Sequence, residues 1–369
     1  MQGFKRWLQV GVVSLVMATL SLGLSAPGFA NNNYRESRLP QGNAITNSEA
    51  LLQYALPIDN TVVRQLQQDI EDIAEQLRAN RRWKAIEADL RKARRILSKR
   101  QDDLLESIPA SRQSQAEGSI AQIEAEIGNL EAVVAEKEKE KTWEGRSRLL
   151  SLIGDLEDLM VTDFPFEVPE KYSDLPQLKG RATVEIQTNK GTMTAIVDGY
   201  NAPITAGNFV DLVQRGFYDN MPFVRAEDSY ILQTGDPAGS ENGFIDPKTG
   251  EYRTIPMEIR IPGEDLPIYG ATLEEVGLYR ESPILPFSAF GTLGMAHPDS
   301  DLNGGSSQFF FFLFEPELTP AGLNLLDGRY AVFGYVVEGE KVLDKLGKGD
   351  KIESMKVVRG AENLVNLVN

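Results

Sequence analysis

The sequence contains no cysteine among its 369 residues. Disulfide bonds, catalytic thiolates and zinc or iron–sulfur sites with cysteine ligands are therefore excluded. The chain has a single histidine, His297, so a metal site built from several histidines is impossible, and a histidine-dependent catalytic triad would have to use this one residue. These absences remove most nucleophilic and metal-dependent chemistry, and we expect neither a cofactor nor a bound metal.

Basic residues are also in the minority. The chain has 38 Lys and Arg against 54 Asp and Glu, which gives a formal net charge of −16. Binding to nucleic acid depends on neutralising phosphates with Lys and Arg, so nucleic acid is not an expected partner. A hydrophobic content of 41% is typical of a globular protein, and the length indicates about two domains.

One long hydrophobic run lies near the N-terminus. Two basic residues precede an almost uncharged stretch over residues 7–24, and Gly28 and Ala30 are small residues at the positions that a signal peptidase reads. This pattern predicts a secretory signal peptide over residues 1–30. A twin arginine is lacking, which favours export through the Sec pathway. A membrane anchor is the alternative, but the run is close to the lower length limit for crossing a bilayer.

Residues 46–162 carry hydrophobic residues at spacings of three and four, the pattern of amphipathic helices. Four such sets occur, separated by short breaks: Val63, Leu66, Ile70, Ile73 and Leu77; Trp83, Ile86, Leu90, Ala93 and Leu97; Ile120, Ile123, Ile127, Leu130 and Val134; Leu149, Leu152, Leu156 and Leu159. Four helices with short connections predict an antiparallel helical bundle. An elongated coiled coil is the alternative, and the breaks argue against it.

The segment 78–100 has an unusual charge. It holds ten basic residues and only two acidic ones, Glu87 and Asp89. One interpretation is a basic helix neutralised by acidic neighbours in residues 67–76 and 117–140. The other is a docking surface for an acidic partner or for a peripheral contact with an anionic membrane. The spacing of the charges does not separate the two.

The pattern changes in the second half of the chain. Three prolines in residues 163–179 predict an extended linker. Residues 183–188 and 192–197 then alternate with a period of two and predict a hairpin, and a helix is predicted over residues 203–215. Many strands with few helices predict a closed antiparallel β-barrel over residues 180–360. The fold class is thus multidomain α + β, a helical bundle followed by a barrel.

Seven short motifs follow one another in this half. They are Asn208-Phe-Val-Asp-Leu-Val, Gly216-Phe-Tyr-Asp, Phe223-Val-Arg225-Ala, Gln233-Thr-Gly-Asp-Pro237, Met295-Ala-His297, Ser307-Gln-Phe-Phe310 and Leu325-Leu-Asp-Gly-Arg-Tyr330. In this order they resemble the cyclophilins, the prolyl isomerase family, and the resemblance covers about residues 181–360. It implies a cyclophilin-like barrel that rotates X–Pro peptide bonds. The implied partners are proline-containing segments of exported or membrane proteins.

Rotation of an X–Pro bond needs no nucleophile and no metal. The barrier of roughly 20 kcal/mol comes from the double-bond character of the amide. An enzyme must hold the proline ring in an apolar cup and stabilise the twisted amide, whose pyramidal nitrogen can accept a hydrogen bond. A guanidinium is a fixed, always-charged donor suited to that task. By resemblance Arg225 has this role, and Gln233 bonds near the substrate carbonyl and steadies the arginine. The alternative for Arg225 is a surface pair with Glu227 or Asp228.

The resemblance also implies the substrate-binding residues. Tyr230, Ile231, Phe310 and Leu326 match the wall of the proline cup, and Phe309 or Phe311 is expected in the core. The remaining matches are Ala296 and His297, along which the peptide backbone lies, with Leu325 and Tyr330 at the edge of the cup. Departures from the family are His297 in place of Asn, Tyr230 in place of Phe, Ile231 in place of Met, Leu325 in place of Trp and Tyr330 in place of His. An altered cup with its arginine and glutamine retained leaves open whether activity is low or lost.

The overall plan is similar to that of the large thylakoid-lumen cyclophilins, with a helical part that resembles the PsbQ-like proteins. This implies a role in photosystem II assembly or maintenance, photosystem II subunits as partners, and the thylakoid lumen as location, with the periplasm as the alternative. Two functions stay open. One is a working prolyl isomerase that folds exported proteins, and the other is an assembly chaperone whose cup binds a proline segment without turning it over. A related hypothesis is that the bundle covers the cup and regulates it.

Overall fold

The structure is a computed structural model. It describes residues 45–78, 82–240, 242–314 and 324–365, and all of them belong to one compact unit, residues 37–369. The predicted signal peptide, residues 1–30, lies outside the described residues. Within the described ranges, none of the helices is sufficiently long and apolar to cross a membrane.

The N-terminal half of the described chain is helical. Its helices are α1 (Ser48–Ala55), α2 (Thr61–Arg78), α3 (Trp83–Lys99), α4 (Gln101–Glu106), α5 (Gln113–Ala135) and α6 (Lys139–Met160). The four long helices, α2, α3, α5 and α6, carry the four predicted hydrophobic sets. Each of them packs against two of the others around one buried apolar core, so they form a four-helix bundle. The prediction of a helical N-terminal region is confirmed.

Asn60 fixes the start of the bundle. Its side-chain oxygen accepts hydrogen bonds from the backbone N–H groups of Val62 and Val63, both at 3.0 Å, and so caps α2. Its side-chain nitrogen donates to the backbone oxygen of Asp103 and to Ser107 Oγ, both at 2.9 Å. One amide therefore ties the start of α2 to the end of α4.

The sequence suggests one basic helix over the segment 78–100. In the structure this segment is not a single helix. Arg78 ends α2, and α3 begins only at Trp83. Helices α2 and α3 pack against each other. The basic residues of this segment are thus divided between the end of one helix and the length of the next.

The second half of the chain is built from strands. They are β1 (Gln177–Leu178), β2 (Arg181–Thr188), β3 (Gly191–Asp198), β4 (Arg225–Glu227), β5 (Ile231–Thr234), β6 (Glu258–Ile259), β7 (Ile268–Tyr269), β8 (Thr292–Met295), β9 (Phe309–Phe312), β10 (Val332–Glu338), β11 (Ile352–Arg359) and β12 (Leu364–Val365). Helix α7 (Pro203–Gln214) lies between β3 and β4. The predicted hairpin and the predicted helix are both present.

Eight strands form one antiparallel sheet in the order β11-β2-β3-β10-β8-β9-β5-β4. The sheet is curled, and its edge strands β11 and β4 are not paired with each other, so full closure of the barrel stays a prediction. Next to these edges, the N–H of Phe223 donates to the oxygen of Asp350 at 2.8 Å, and the N–H of Ile352 donates to that of Met221 at 2.9 Å.

The predicted linker is partly built into the fold. Its last residues form β1, which pairs with β12 in a separate two-stranded sheet. Leu178 is fully buried, and β1 packs against α7. The prolines of residues 163–179 favour an extended chain. The backbone of its last residues pairs with β12, the last strand of the β region.

Strand β9 is buried on both of its faces. Because side chains alternate along a strand, Phe309 and Phe311 point inward, where Phe209 of α7 meets Phe309 at 5.1 Å between ring centroids. Phe310 and Phe312 point to the opposite face and belong to a second apolar cluster. That outer cluster also contains Leu51, Leu52 and Ala55 of α1. The core expectation for Phe309 and Phe311 agrees with this arrangement.

Arg181 on β2 joins the sheet to the helices. Its guanidinium pairs with Asp198 on β3 at 2.7 Å, donates to the backbone oxygen of Leu52 on α1, and lies 3.6 Å from Asp158 on α6. Asn201 adds a bond to the oxygen of Ala55 at 2.9 Å. Helix α1 is therefore held to the sheet through the carbonyl oxygens of its last two turns.

We expect Arg181→Met to lower the free energy of unfolding by about 3 kcal/mol, because it leaves the buried carboxylate of Asp198 without its cation. Urea unfolding followed by circular dichroism measures this. Arg359→Met is the matched control, because Arg359 is 70% exposed and its pair with Asp155, at 3.5 Å, is solvent-exposed. Its loss should lower the free energy of unfolding by less than about 1 kcal/mol. Equal effects of the two substitutions would contradict the role given to Arg181.

Candidate functional site

The predicted catalytic pair lies side by side on the sheet. Arg225 on β4 is directly opposite Gln233 on β5, Gln233 is opposite Phe310 on β9, and Phe310 is opposite Gly294 on β8. Residues that face each other across antiparallel strands share one face of the sheet. The register therefore places a guanidinium, an amide and an aromatic ring in one row on the outer face.

The ring of Phe310 is enclosed by two others. Phe287 stacks on it with centroids 5.7 Å apart and planes within 4°, and Tyr330 meets it edge-on at 5.5 Å. Gly294 makes room for this, because a Cβ there would lie 2.5 Å from Phe310 and 2.8 Å from Phe287. Phe287 was not predicted from the sequence. It lies in a long irregular connection, where no periodicity marks it.

The apolar side chains of the predicted cup are almost fully covered. Phe310, Ile231 and Leu326 are only 3%, 7% and 8% exposed, and Tyr230 packs against the same cluster. This cluster continues without a break to α1, which packs on the neighbouring β10. The floor of the cup is thus part of the apolar layer that holds the helices to the sheet.

The opposite edge of the site is built around the histidine. The rings of His297 and Tyr330 stack at 4.8 Å, and the two ring nitrogens of His297 lie 3.0 Å from the backbone oxygens of Pro298 and Arg329. The N–H of Ala296 donates to the oxygen of Gln308 at 3.0 Å. Leu325, by contrast, is 84% exposed.

Arg225 is held by Glu227 and not by Gln233. The carboxylate of Glu227 accepts from Nε at 2.7 Å and also from Nη2, whereas the side-chain nitrogen of Gln233 donates to Gln308 Oε1 at 2.8 Å. The expectation that Gln233 steadies the arginine is therefore wrong for this structure. Residues i and i+2 of a strand share a face, and a charged acceptor is preferred over a neutral amide. Within the described chain no partner occupies Nη1, so its two N–H groups are available to a substrate.

Two small cavities border the site, and each has a volume of about 10 Å³. One is lined by His297 and Met295, and the other by Tyr330 and Glu258. A volume of this size holds about one water molecule. Neither of these two cavities admits a proline ring.

Glu258 lies behind the site and caps α7. Its buried carboxylate accepts from the N–H groups of Ile204 and Thr205 at 3.1 and 3.0 Å and from the hydroxyl of Thr205 at 3.1 Å. Burial raises the pKa of Glu258 from 4.5 to about 7, against the opposing effect of these hydrogen bonds. No sequence pattern identified this cap, because it reaches α7 from a strand more than fifty residues away.

The two halves of the chain match two known family descriptions. Residues 47–161 match the PsbQ-like domain of CYP38-like peptidyl-prolyl cis-trans isomerases, and residues 183–363 match the cyclophilin type of these isomerases. The chain belongs to this family. The resemblance drawn from the motifs is confirmed, including its combination of a PsbQ-like helical part with a cyclophilin part.

Two relatives cover nearly the whole of this cyclophilin. A Synechocystis protein, provisionally named a thylakoid lumen peptidyl-prolyl cis-trans isomerase, is 54% identical over 98% of this chain and 96% of its own. The chloroplastic peptidyl-prolyl cis-trans isomerase CYP38 of Arabidopsis thaliana is 44% identical over 97% of this chain and 84% of its own. The similarity therefore extends through the helical half as well as the sheet.

The cap at Glu258 predicts a pH dependence of stability. A carboxyl whose pKa rises from 4.5 to about 7 on folding stabilises the protein fully below pH 4.5 and loses this contribution as the pH rises to 7. Between pH 4.5 and 7 the free energy of unfolding of the wild type should fall by about 3 kcal/mol relative to that of Glu258→Gln, because Gln does not titrate. Urea unfolding at several pH values measures the difference.

The exposed Glu251→Gln is the matched control, and it should follow the wild-type dependence on pH. If Glu258→Gln lost stability in parallel with wild type between pH 4.5 and 7, the cap would not be the titrating group.

Proposed function

We propose that this cyclophilin catalyses the cis–trans isomerisation of X–Pro bonds in exported polypeptides. The observation that carries the proposal is the row of Arg225, Gln233 and Phe310 across three adjacent strands. It supplies a cationic donor, a neutral amide and an apolar surface on one face. These are the groups that rotation about an X–Pro bond needs.

The chemistry follows from the amide itself. As the bond twists, conjugation is lost and the prolyl nitrogen becomes pyramidal, with a lone pair that accepts a hydrogen bond. The free Nη1 of Arg225 can donate this bond, and it does so only in the twisted state, so it lowers the barrier and not the ground state. The apolar side chains of Phe310, Ile231 and Leu326 exclude water around the ring and strengthen that bond.

A second function, a binding module that acts as an assembly chaperone, is favoured by specific features of the cup. Its floor is almost fully covered, and Glu227 neutralises part of the charge of Arg225. Leu325 is exposed and offers apolar surface to a bound segment. A cup of this kind could bind a proline segment without lowering the barrier to rotation.

The cellular role is proposed on the same basis. The names of the two relatives place one in the thylakoid lumen and the other in the chloroplast, and the helical half matches a PsbQ-like domain. We propose export through the Sec pathway, a lumenal location, and clients among membrane and exported proteins that include photosystem II subunits. The periplasm is the alternative location.

We expect Arg225→Ala to lower kcat/KM for a model X–Pro peptide by about 100-fold, the effect of removing one donor to a transition state. Exchange spectroscopy by NMR measures the isomerisation rate with the full chain. Arg359→Ala is the matched control and should leave the rate unchanged, because it removes an exposed arginine from the far strand β11. Catalysis unchanged in Arg225→Ala would contradict the mechanism. Peptide binding without any catalysis by wild type would support the chaperone.

The basic segment provides a further proposed contact. Several of its cations are neutralised, since Lys92 pairs with Asp89 at 2.6 Å and Arg94 pairs with Glu131 at 2.6 Å. Arg91 also has a partner, Glu87, at 3.8 Å. Three others share the exposed face of α3 at helical spacing: Lys84, Arg95 and Lys99. The stripe is one helix wide between neutralised flanks. We propose that it docks an acidic polypeptide, which is narrow, and not a membrane, which is an extended plane.

The triple substitution of Lys84, Arg95 and Lys99 by Gln should weaken binding of a poly-glutamate peptide about tenfold at low salt. Fluorescence anisotropy measures the affinity. The same substitution of three exposed lysines on the sheet half, Lys345, Lys348 and Lys356, is the charge-matched control. Binding to anionic vesicles without binding to the peptide, or equal losses in the two triples, would contradict the proposal.

A further inference from the structure

The cations at the edge of the cup are already neutralised. Arg225 is held by the carboxylate of Glu227, and Arg329, the residue before Tyr330, pairs with Glu274 at 3.0 Å. The side chains of both pairs are between 43% and 69% exposed, so solvent reaches them. A peptide entering the cup therefore meets ion pairs at these two points, with Nη1 of Arg225 as the donor left open within the described chain.

Two further carboxylates at this edge have no cationic partner within the described chain. Asp228 lies in the exposed turn directly before Tyr230, and Asp299 lies two residues after His297. Burial raises the pKa of Tyr330, and the negative charge of Asp299 adds to that effect. Glu227, Glu274, Asp228 and Asp299 thus outnumber Arg225 and Arg329 at these positions of the described chain.

The register of the sheet places these two carboxylates at opposite ends of the cup. Ile231 at the start of β5 is level with Phe312, and Phe312 is level with Thr292 at the start of β8. Asp228 precedes β5, whereas Asp299 follows the end of β8. The row of Arg225 and Phe310 lies between them, so a peptide seated in the cup has one unpaired carboxylate on either side of its proline.

We infer that the cup selects proline segments that carry a Lys or Arg close to the proline and disfavours those flanked by acidic residues. This inference rests on the proposed function and names the substrate class of the same site. A cationic side chain within a few residues of the proline reaches Asp228 or Asp299, because an extended chain advances about 3.3 Å per residue. An acidic side chain meets an excess of negative charge and is repelled.

The test compares peptides that differ only in the residue before or after proline, namely Lys, Gln or Glu. With the full chain at roughly 20 mM salt, we expect kcat/KM for the Lys peptides to exceed that for the Glu peptides about tenfold. The ratio should fall to about twofold at roughly 0.5 M salt, where exposed charges are screened. Asp228→Asn and Asp299→Asn should each reduce the low-salt ratio about threefold.

Glu117→Gln is the matched control, since it removes one exposed carboxylate from helix α5 of the bundle, which packs against other helices, and should leave the ratio unchanged. Equal rates for Lys and Glu peptides, or an equal loss of selectivity in the control, would overturn the inference. If no peptide is isomerised, the proposed function fails, and the inference is read from peptide affinities by NMR titration. Tighter binding of the Lys peptides would then support it, and equal affinities would overturn it.

Discussion

The four consecutive phenylalanines of β9 have to be covered on both faces of the sheet, and much of the architecture follows from this requirement. The inner face is covered by α7 and by the apolar core between α7 and the sheet. The outer face is covered by Phe287, Tyr330 and the apolar side chains of α1. Because α1 also bonds to α6 through Gln53, the helices and the sheet share one apolar layer and form one compact unit.

The candidate site is placed in this same layer, and its properties reflect that. A proline cup needs apolar side chains that a ligand can reach, while a helix-to-sheet contact needs them buried. Phe310 belongs to both, and its exposure of 3% shows that burial prevails. The polar groups at the edge, Arg225 and Glu227, stay accessible to solvent.

The sequence predicted those elements whose signal is local. The four hydrophobic sets of the bundle, the hairpin around Asn189 and the helix at Pro203 each carry their own periodicity or turn residues. The ordered motifs also identified the row of Arg225, Gln233 and Phe310. Contacts between distant segments could not be predicted this way: the cap by Glu258, the stacking of Phe287 and the bond from Arg181 to α1 have no local pattern. The motifs assigned the steadying of Arg225 to Gln233, with a surface pair with Glu227 or Asp228 as the alternative. Only side-chain geometry decides among them, and it selects Glu227.

The pairing of β1 with β12 affects how the β region can be joined to other domains. It brings the point where the polypeptide enters the β region next to the point where it leaves, and the N–H of Lys179 bonds to the oxygen of Asn363 at 2.8 Å. A region whose two ends lie close together can be joined to different domains without disruption of its own sheet. The β1–β12 pair therefore allows a helical domain to be joined to the β region without a change in the sheet that carries the cup.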